Sequence, residues 1–394
     1  MNEFINRQIA PIIEGQKNKF PVLAVTGPRQ SGKTTLLKEL FTDYQYVSLE
    51  NPNMRSFASD DPIGFLNQYS EKVILDEVQR VPELFSYLQE KVDDSKMMGQ
   101  YILSGSRNFH LLNSITQTLA GRVALFKLLP FDFTELKQKD LLANSYTKVA
   151  AKGFYPPIFD RDIKPSIFYA NYIQTYIEKD VTELLNIRDL KSFRTFISLC
   201  AGRAGQLLNY SALANECDIS NNTAKAWLSI LESSYIIFIL QPYHVNFNKR
   251  LVKTPKLYFF DTGLLSYLLG IRNAEEIEEN RLKGQIFENM MIAEYQKQNH
   301  HCYLHKDYYF WQDSNAHEVD LLVKKQQGFS VFEIKASETI SNTMFKEMDK
   351  FEEIAAPAIV EKTLIYGGNE NQNRTKYTVL GWQNISNQQA WLEI

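Results

Sequence analysis

Three stretches of this chain predict an α/β protein built on a parallel sheet and a phosphate-binding loop. The first is Gly27-Pro28-Arg29-Gln30-Ser31-Gly32-Lys33-Thr34, a match to GxxxxGK[ST] set between the β-prone run Val22–Thr26 and the helix-forming run Thr35–Leu40. The second is Val73-Ile74-Leu75-Asp76-Glu77, an apolar strand ending in two carboxylates. The third is the return of strand-like runs at Tyr46–Leu49, Gln100–Ser104 and Val123–Leu129 between helical or irregular segments. That alternation implies a sheet covered on both faces.

The loop carries the first chemistry. Its glycines let backbone N–H groups close around a β-phosphate at a helix N-terminus, where unpaired amides and the helix dipole favour negative charge. Lys33 is placed to reach the β- and γ-phosphates and Thr34 to ligate Mg²⁺, while Thr35 joins Gly27 through Thr34 among the nucleotide-binding candidates. In the second stretch Asp76 would hold Mg²⁺ through water, and Glu77 would orient and deprotonate the water that attacks the γ-phosphate. ATP and Mg²⁺ are the implied cofactors. Further along, Tyr101–Arg107 is a strand ending in small polar residues, with Ser104 the candidate sensor of the γ-phosphate and Ser106 in reserve. A plain Ser-Gly turn is the alternative there. In Leu119-Ala120-Gly121-Arg122 an arginine opens a strand, either as a surface residue or as the partner of a phosphate in its own or a neighbouring subunit.

Length and composition set the frame. At 394 residues the chain calls for two to four domains, and 44% hydrophobic with 23% charged residues is ordinary for a globular protein. The net charge of −3 means that any affinity for nucleic acid must come from local patches. Cys200, Cys217 and Cys302 form neither a CxxC pair nor a disulfide framework, which fits a reducing compartment. With no apolar run of about 18 residues and no secretory core at the N-terminus, a cytoplasmic protein without a membrane partner is expected. Residues 1–20 read as an amphipathic helix through Phe4, Ile5, Ile9, Ile12 and Ile13, broken by Gly15 and packed on the sheet.

With these residues in view the chain resembles the AAA+-type ATPases of archaea and bacteria. The resemblance rests on GPRQSGKT, on Asp76-Glu77 followed by Val78-Gln79, on Leu103–Ser106, on Leu119–Arg122 and on Leu129-Pro130-Phe131. The stretches Tyr210–Tyr243 and Lys249–Leu265 extend it to the C-terminal domain of unknown function that accompanies such ATPases. It implies an ATPase core, a winged-helix segment and a restriction-endonuclease-like C-terminal region, and it alone implies that Arg122 is a finger or sensor and that the chain forms a homo-oligomer, commonly a ring. The expected domains are an ATPase over 1–140, a helical connector over 141–205, a winged-helix-like segment over 206–279 and an α/β restriction-endonuclease-like domain over 280–394.

The connector shows a stripe, Tyr169, Tyr172, Ile173, Tyr176, Ile177, Val181 and Leu184, that reads as core. After it, helices around Ser211–Cys217 and Asn221–Ser233, joined by Asp218-Ile219-Ser220 and followed by the β-like run Tyr235–Leu240, read as a winged helix. Asn221, Asn222, Thr223 and Lys225 fall where a helix-turn-helix reads bases, so DNA is a candidate partner. The second helix has one lysine and no arginine, so a protein contact fits it equally; Lys249, Arg250, Lys253 and Lys256 form a better phosphate patch.

The last constellation is geometric. Val319–Lys324 and Phe329–Lys335 are strand-like runs around a short turn, and if Lys324 pairs with Phe329 then Asp320 falls opposite Glu333, with Lys335 on the same face. Two facing carboxylates call for a cation, and oxygen ligands suit Mg²⁺ or Mn²⁺. Asp320 followed by Glu333-x-Lys335 has the D…ExK form of restriction-endonuclease-like nucleases, in which the acids hold metal and the lysine serves the attacking water or the transition state. Glu288, on a helix beside Met291, Ile292 and Tyr295, matches the helical acid of that pattern; His317 and Glu318 read as loop residues. The function expected is Mg-dependent ATP hydrolysis coupled to a DNA-directed nuclease-like module, the alternative being an ATP-switched regulatory or protein-interaction module without cleavage.

Overall fold

Five runs in the N-terminal third become the strands of a parallel sheet, the three inner ones buried on both faces and the two edge ones partly exposed. In the computed structural model, which describes residues 4–106, 118–177, 190–243, 252–325, 328–356 and 358–387, the chain divides into two compact units. The first comprises Met1–Phe131 with Ser233–Tyr235 and His300–Tyr303, and the second comprises the rest.

The first unit runs α1 (Ala10–Gln16), β1 (Val22–Thr26), α2 (Lys33–Leu40), β2 (Gln45–Ser48), α3 (Pro52–Asp60), α4 (Pro62–Gln68), β3 (Val73–Asp76), α5 (Leu84–Ser95), β4 (Tyr101–Gly105) and β5 (Val123–Lys127). The strands are all parallel in the order β2-β3-β4-β1-β5. Alternate residues face opposite cores, as the two-residue period of a strand requires. Leu23, Val25, Ile74, Ile102 and Phe126 pack with Ile9 and Ile13 of the N-terminal segment and Leu36 and Leu37 of α2. Val22, Ala24, Leu75, Tyr101 and Leu103 pack on the other side with Phe65, Phe85 and Leu88. The N-terminal segment therefore covers one face of the sheet, but its helix is shorter than the 1–20 expected from the sequence, and Gly15 lies inside it and does not break it. It is pinned by Arg7, which is 4% exposed and donates to the carbonyls of Ser31 at 2.7 Å and Leu129 at 2.6 Å.

The second unit begins with short helices, α6 (Phe133–Lys137), α7 (Tyr146–Lys152), α8 (Pro156–Asp160) and α9 (Pro165–Tyr172), the last running into a π-helical turn over Ile173–Ile177. The prolines at 156 and 165 sit where a helix needs no N–H, so the two breaks in the sequence are helix starts. Of the connector stripe, Tyr169, Tyr172, Ile173 and Ile177 are buried, whereas Val181 and Leu184 lie outside the described residues. Next come α10 (Leu190–Gly202), α11 (Tyr210–Glu216), α12 (Asn221–Ser233), β6 (Ile237–Pro242), β7 (Lys256–Phe259), α13 (Thr262–Leu268) and α14 (Ala274–Glu278). Ser220 caps α12 by accepting from Thr223 N at 3.0 Å. Helix α12 turns Ala224, Trp227, Leu228 and Leu231 inward, with the Trp227 ring against Phe193 and Phe196 of α10, and leaves Asn221, Asn222 and Lys225 exposed. Strands β6 and β7 form an antiparallel pair, and Leu207 bridges to Lys256.

The remainder is α15 (Lys283–His301), β8 (Tyr308–Gln312), β9 (Glu318–Lys325), β10 (Gly328–Lys335), α16 (Lys346–Ala355), β11 (Ile359–Tyr366), β12 (Gln372–Asn373) and β13 (Thr378–Gly381). Its sheet order is β12-β13-β11-β10-β9-β8-β6-β7, with β9 antiparallel to both β8 and β10 and β11 parallel to β10. Because β6 pairs with β8, the β6–β7 hairpin and the C-terminal strands make one continuous sheet. Phe332 meets Tyr295 of α15 at 5.5 Å between ring centroids, and Phe329 meets Phe351 of α16 at 5.6 Å, so the two helices serve opposite faces of β10. Among the described residues no helix is long and apolar enough to cross a membrane.

Candidate nucleotide site and C-terminal acidic centre

The loop after β1 has the backbone that its glycines foretell. Gly27 adopts φ +150°, where an added Cβ would stand 2.0 Å from the Leu128 carbonyl oxygen, so only glycine passes here. Gly32 caps α2 in the left-handed region at φ 93°, and Gln30 between them is left-handed as well. Gly27, Pro28 and Ser31 are buried, Arg29, Gln30 and Thr34 half-buried, and Thr35 exposed on the first turn of α2. Lys33, 6% exposed, folds back to donate to the carbonyls of Gly27 at 2.9 Å and Pro28 at 2.8 Å. The loop thus holds its ammonium inside its own curve. Ser31 keeps its Oγ buried with no hydrogen-bond partner among the described residues, a polar atom left for a ligand inside the loop.

Asp76 ends β3 and gathers the rest of the site. Its Oδ2 accepts from Thr34 Oγ1 at 3.0 Å and from the Tyr46 hydroxyl at 2.6 Å, while its Oδ1 accepts from Ser104 Oγ and from Glu77 N at 3.2 Å. The loop threonine, the strand carboxylate and Ser104 are therefore brought together. Glu77 sits in the left-handed region at φ 56°, a conformation that costs a non-glycine residue roughly 1 kcal/mol or more. In that pose its Oε2 accepts from Gln79 Nε2 at 2.5 Å and Ser106 Oγ at 3.2 Å. Tyr46 went unread in the sequence because its role is diagonal. It pairs with Ile74 across the β2–β3 ladder, and its phenol crosses to the residue two positions on. Burial, followed by the Asp76 carboxylate, pushes the phenol well above its ordinary range.

Of the alternatives open for Arg122, the geometry disfavours a contact with the loop of its own chain. The Arg122 carbonyl accepts from Val22 N at the start of β1, whereas the loop leaves the end of that strand. Five residues of strand, on the order of 16 Å, separate the two. Its guanidinium makes a bidentate pair with Asp93 of α5 at 2.5 and 2.7 Å. Arg122 stands away from its own loop because it precedes β5 at the opposite end of the strands.

The acidic centre in the second unit is built on α15, β9, β10 and β7. The ladder pairs Phe329 with Lys324 and continues to Phe332 opposite Leu321, in the register inferred from the sequence. The ladder stops one pair short of Asp320 and Glu333, and the Asp320 carboxylate accepts instead from Ile334 N at 2.8 Å. Lys335 pairs with Glu333 Oε1 and lies 3.4 Å from Asp320 Oδ2. Glu333, 4% exposed, leaves its Oε2 buried and unpartnered among the described residues. Glu288 projects from α15, where it accepts from the Tyr258 hydroxyl at 2.7 Å.

The group of carboxylates whose oxygens lie within 4.8 Å of one another is Glu288, Glu318 and Asp320. Glu318 is not a loop residue; it opens β9 two positions before Asp320 and so shares its face. Lys256, read in the sequence as part of a phosphate patch, is 3% exposed and pairs with Glu318 and, at 3.6 Å, with Glu288. Lys249 and Arg250 of that patch lie outside the described residues, and Lys253 is exposed. Burial pushes Glu288 up to about 7 against the opposing pull of Lys256, and burial together with the Asp320 charge raises Glu333 well above the carboxylate range. For Lys256 and Lys335 burial acts downward, but the surrounding carboxylates outweigh it and raise both.

Known proteins give this arrangement a family. A family model described as an AAA domain matches residues 19–137, and two models described as domains of unknown function, DUF8612 and DUF4143, match residues 143–275 and 283–385. An uncharacterized protein of Mycobacterium tuberculosis is 30% identical over 339 residues, which cover 85% of this chain and 75% of the relative. The chain belongs to this AAA-domain family. An uncharacterized protein of Methanocaldococcus jannaschii is 25% identical over 319 residues, 68% of this chain and 66% of that protein. Among solved structures, a Walker-type ATPase of Pyrococcus abyssi aligns over 67% of this chain and 96% of its own, at 15% identity and a TM-score of 0.44. The AAA-domain match identifies the first unit as a P-loop ATPase domain of the kind that binds and hydrolyses ATP.

Proposed function

We propose that the protein is a Mg²⁺-dependent ATPase whose nucleotide state governs a DNA-directed, metal-dependent cleavage centre in its second unit. In the first unit the loop amides from Gly27 to Thr35 would hold the phosphates and Lys33 would reach the β- and γ-phosphates. Thr34 and Asp76 would hold Mg²⁺, which supplies positive charge at the phosphate oxygens. Glu77 takes the proton of the attacking water, with Ser104 and Ser106 fixing the two carboxylates. Arg122, remote from its own loop, would serve a neighbouring copy of the chain in a homo-oligomer.

The reading of the second unit is carried by one observation: Glu288 on α15, Asp320 on β9 and Glu333 with Lys335 on β10 meet within an α-β-β-β-α-β run. The donor set fits a divalent cation. Four carboxylates, Glu288, Glu318, Asp320 and Glu333, face two ammonium groups, Lys256 and Lys335, so two negative charges stand unbalanced when all are ionised. The buried, unpartnered Glu333 Oε2 is a further ligand atom. There a divalent ion would supply Lewis acidity at a phosphodiester, and Lys335 would stabilise the developing charge. The capped helix α12, with Asn221, Asn222 and Lys225 exposed after a helix and turn, and the β6–β7 hairpin with its Leu207 bridge support a winged-helix reading and DNA as the substrate. Three cysteines that form no disulfide fit a cytoplasmic location.

Cleavage of single-stranded and duplex DNA by the purified protein with Mg²⁺ or Mn²⁺, beside Asp320→Ala and Glu333→Ala, tests the second half. Cleavage lost in both variants is expected. One observation favours the other reading, an ATP-switched interaction module: Lys256 and Lys335 already pair with the acids. Absence of cleavage under every condition would decide for it.

A further inference from the structure

Lys256 is the least expected member of the acidic centre. It belongs to β7, in the hairpin that follows the helix-turn-helix, yet it is buried with its ammonium against Glu318 and 3.6 Å from Glu288 Oε1. The oxygens of Glu288, Glu318 and Asp320 lie within 4.8 Å of one another, so a single positive charge already lies against two of the three carboxylates that a divalent ion would bridge. An ammonium and a divalent cation cannot both hold these oxygens at full strength. They compete for the same lone pairs, and at the low dielectric of a buried cluster they repel each other strongly.

We propose that Lys256 gates the acidic centre: its ammonium is an internal counter-ion that competes with a divalent cation for Glu288 and Glu318, and the cation binds tightly only when β7 carries the lysine away. The proposal rests on the reading of the centre as a cation site. Strand β7 supplies the lever. Its backbone is tied to the segment that enters α11, with Gly205 N donating to the Leu257 carbonyl at 2.8 Å, Leu208 N donating to the Pro255 carbonyl at 2.8 Å, and Leu207 bridging Lys256. Two residues along the same face of β7, the Tyr258 hydroxyl donates to Glu288 Oε1 at 2.7 Å. A partner that displaces α11 and α12 therefore pulls, through main-chain hydrogen bonds, on the two side chains that neutralise and orient Glu288. The helix-turn-helix region and the cation centre become one regulated device, in which cation affinity reports whether the helices are engaged.

Direct binding tests the gate without reference to cleavage. Mn²⁺ binding is measured by titration calorimetry on the full chain carrying Asp76→Asn, which removes the cation ligand of the ATPase unit. Adding Lys256→Met is expected to tighten Mn²⁺ binding at least about tenfold, at one ion per chain, and a further Asp320→Ala should abolish it. Lys256→Arg keeps the charge and clamps carboxylates in two-point fashion, so it is expected to weaken binding about threefold or more. That variant carries the test if removal of the charge prevents folding. Equal affinity across the lysine, methionine and arginine forms overturns the gate and leaves the cation centre standing. Binding absent from all three overturns both.

Discussion

Asp76 is the residue at which the nucleotide site closes, and the four donors on its carboxylate explain why. Thr34 and Tyr46 share one oxygen while Ser104 and the Glu77 amide share the other, which fixes the plane of the carboxylate relative to the loop. Tyr46→Phe removes one donor without touching the phosphates. It is expected to shift the Mg²⁺ dependence of turnover about threefold or more while leaving ATP affinity unchanged, as measured by steady-state hydrolysis against free Mg²⁺. An identical Mg²⁺ curve would show that Tyr46 only packs. Lys33→Ala is expected to weaken ATP binding about a hundredfold. Glu77→Gln should retain binding and lose hydrolysis about a hundredfold or more, checked by nucleotide titration beside turnover. Equal turnover in Glu77→Gln and the parent chain would refute Glu77 as the base. Of these residues the sequence motif names Lys33, Thr34, Asp76 and Glu77, because each follows a strand or opens a helix at fixed spacing. Tyr46 could be found only once the β2–β3 register was known.

At the scale of elements, the register of β5 decides the role of Arg122. Because β5 pairs Val123 with Val22 and Lys127 with Thr26, its first residues lie at the end of the strands away from the loop. A phosphate contact by Arg122 would therefore require another copy of the chain. Arg122→Ala and Lys33→Ala are each expected to lose most turnover alone, and a mixture of the two should regain a measurable fraction, because an intact loop then faces an intact arginine. No recovery on mixing would show that the Asp93 pair is the whole function of Arg122. The inner strands β1, β3 and β4 were legible because each is an apolar run buried on both faces, as a parallel sheet demands, whereas the edge strands β2 and β5 are partly exposed. The C-terminal hairpin was legible as two strand-like runs around a short turn. Strand β7 and the ion pairs of Lys256 were not, since Lys256 meets Glu318 from 62 positions upstream and no local pattern records that pairing. Glu318 escaped for a different reason: the run that marks the strand in the sequence opens at Val319, so its place two residues before Asp320 on the same face went unread.

Across the whole molecule, the buried acids of the second unit set a pH dependence. Glu288 is pushed up to about 7 by burial, and Glu294, 0% exposed, is pushed up to about 8 by burial and by Asp132. A carboxyl whose folded pKa lies above its unfolded value of about 4.3 binds its proton more tightly in the fold. Its contribution is complete below the unfolded value and is lost as pH rises through the folded one. The melting temperature is therefore expected to fall by roughly 3 °C or more between pH 6 and pH 9, with a smaller fall in Glu294→Gln. A midpoint that rises over that interval would contradict the assignment. Added Mg²⁺ should offset the part due to Glu288, because a cation favours its ionised form.

A chain that joins ATP turnover to the acidic centre must let nucleotide change the rate of metal-dependent DNA cleavage, measured without nucleotide, with ATP and with ADP. With Lys33→Ala beside the parent chain, cleavage should respond to ATP in the parent and ignore it in the variant. The same cleavage rate under all three conditions in the parent chain would contradict the coupling.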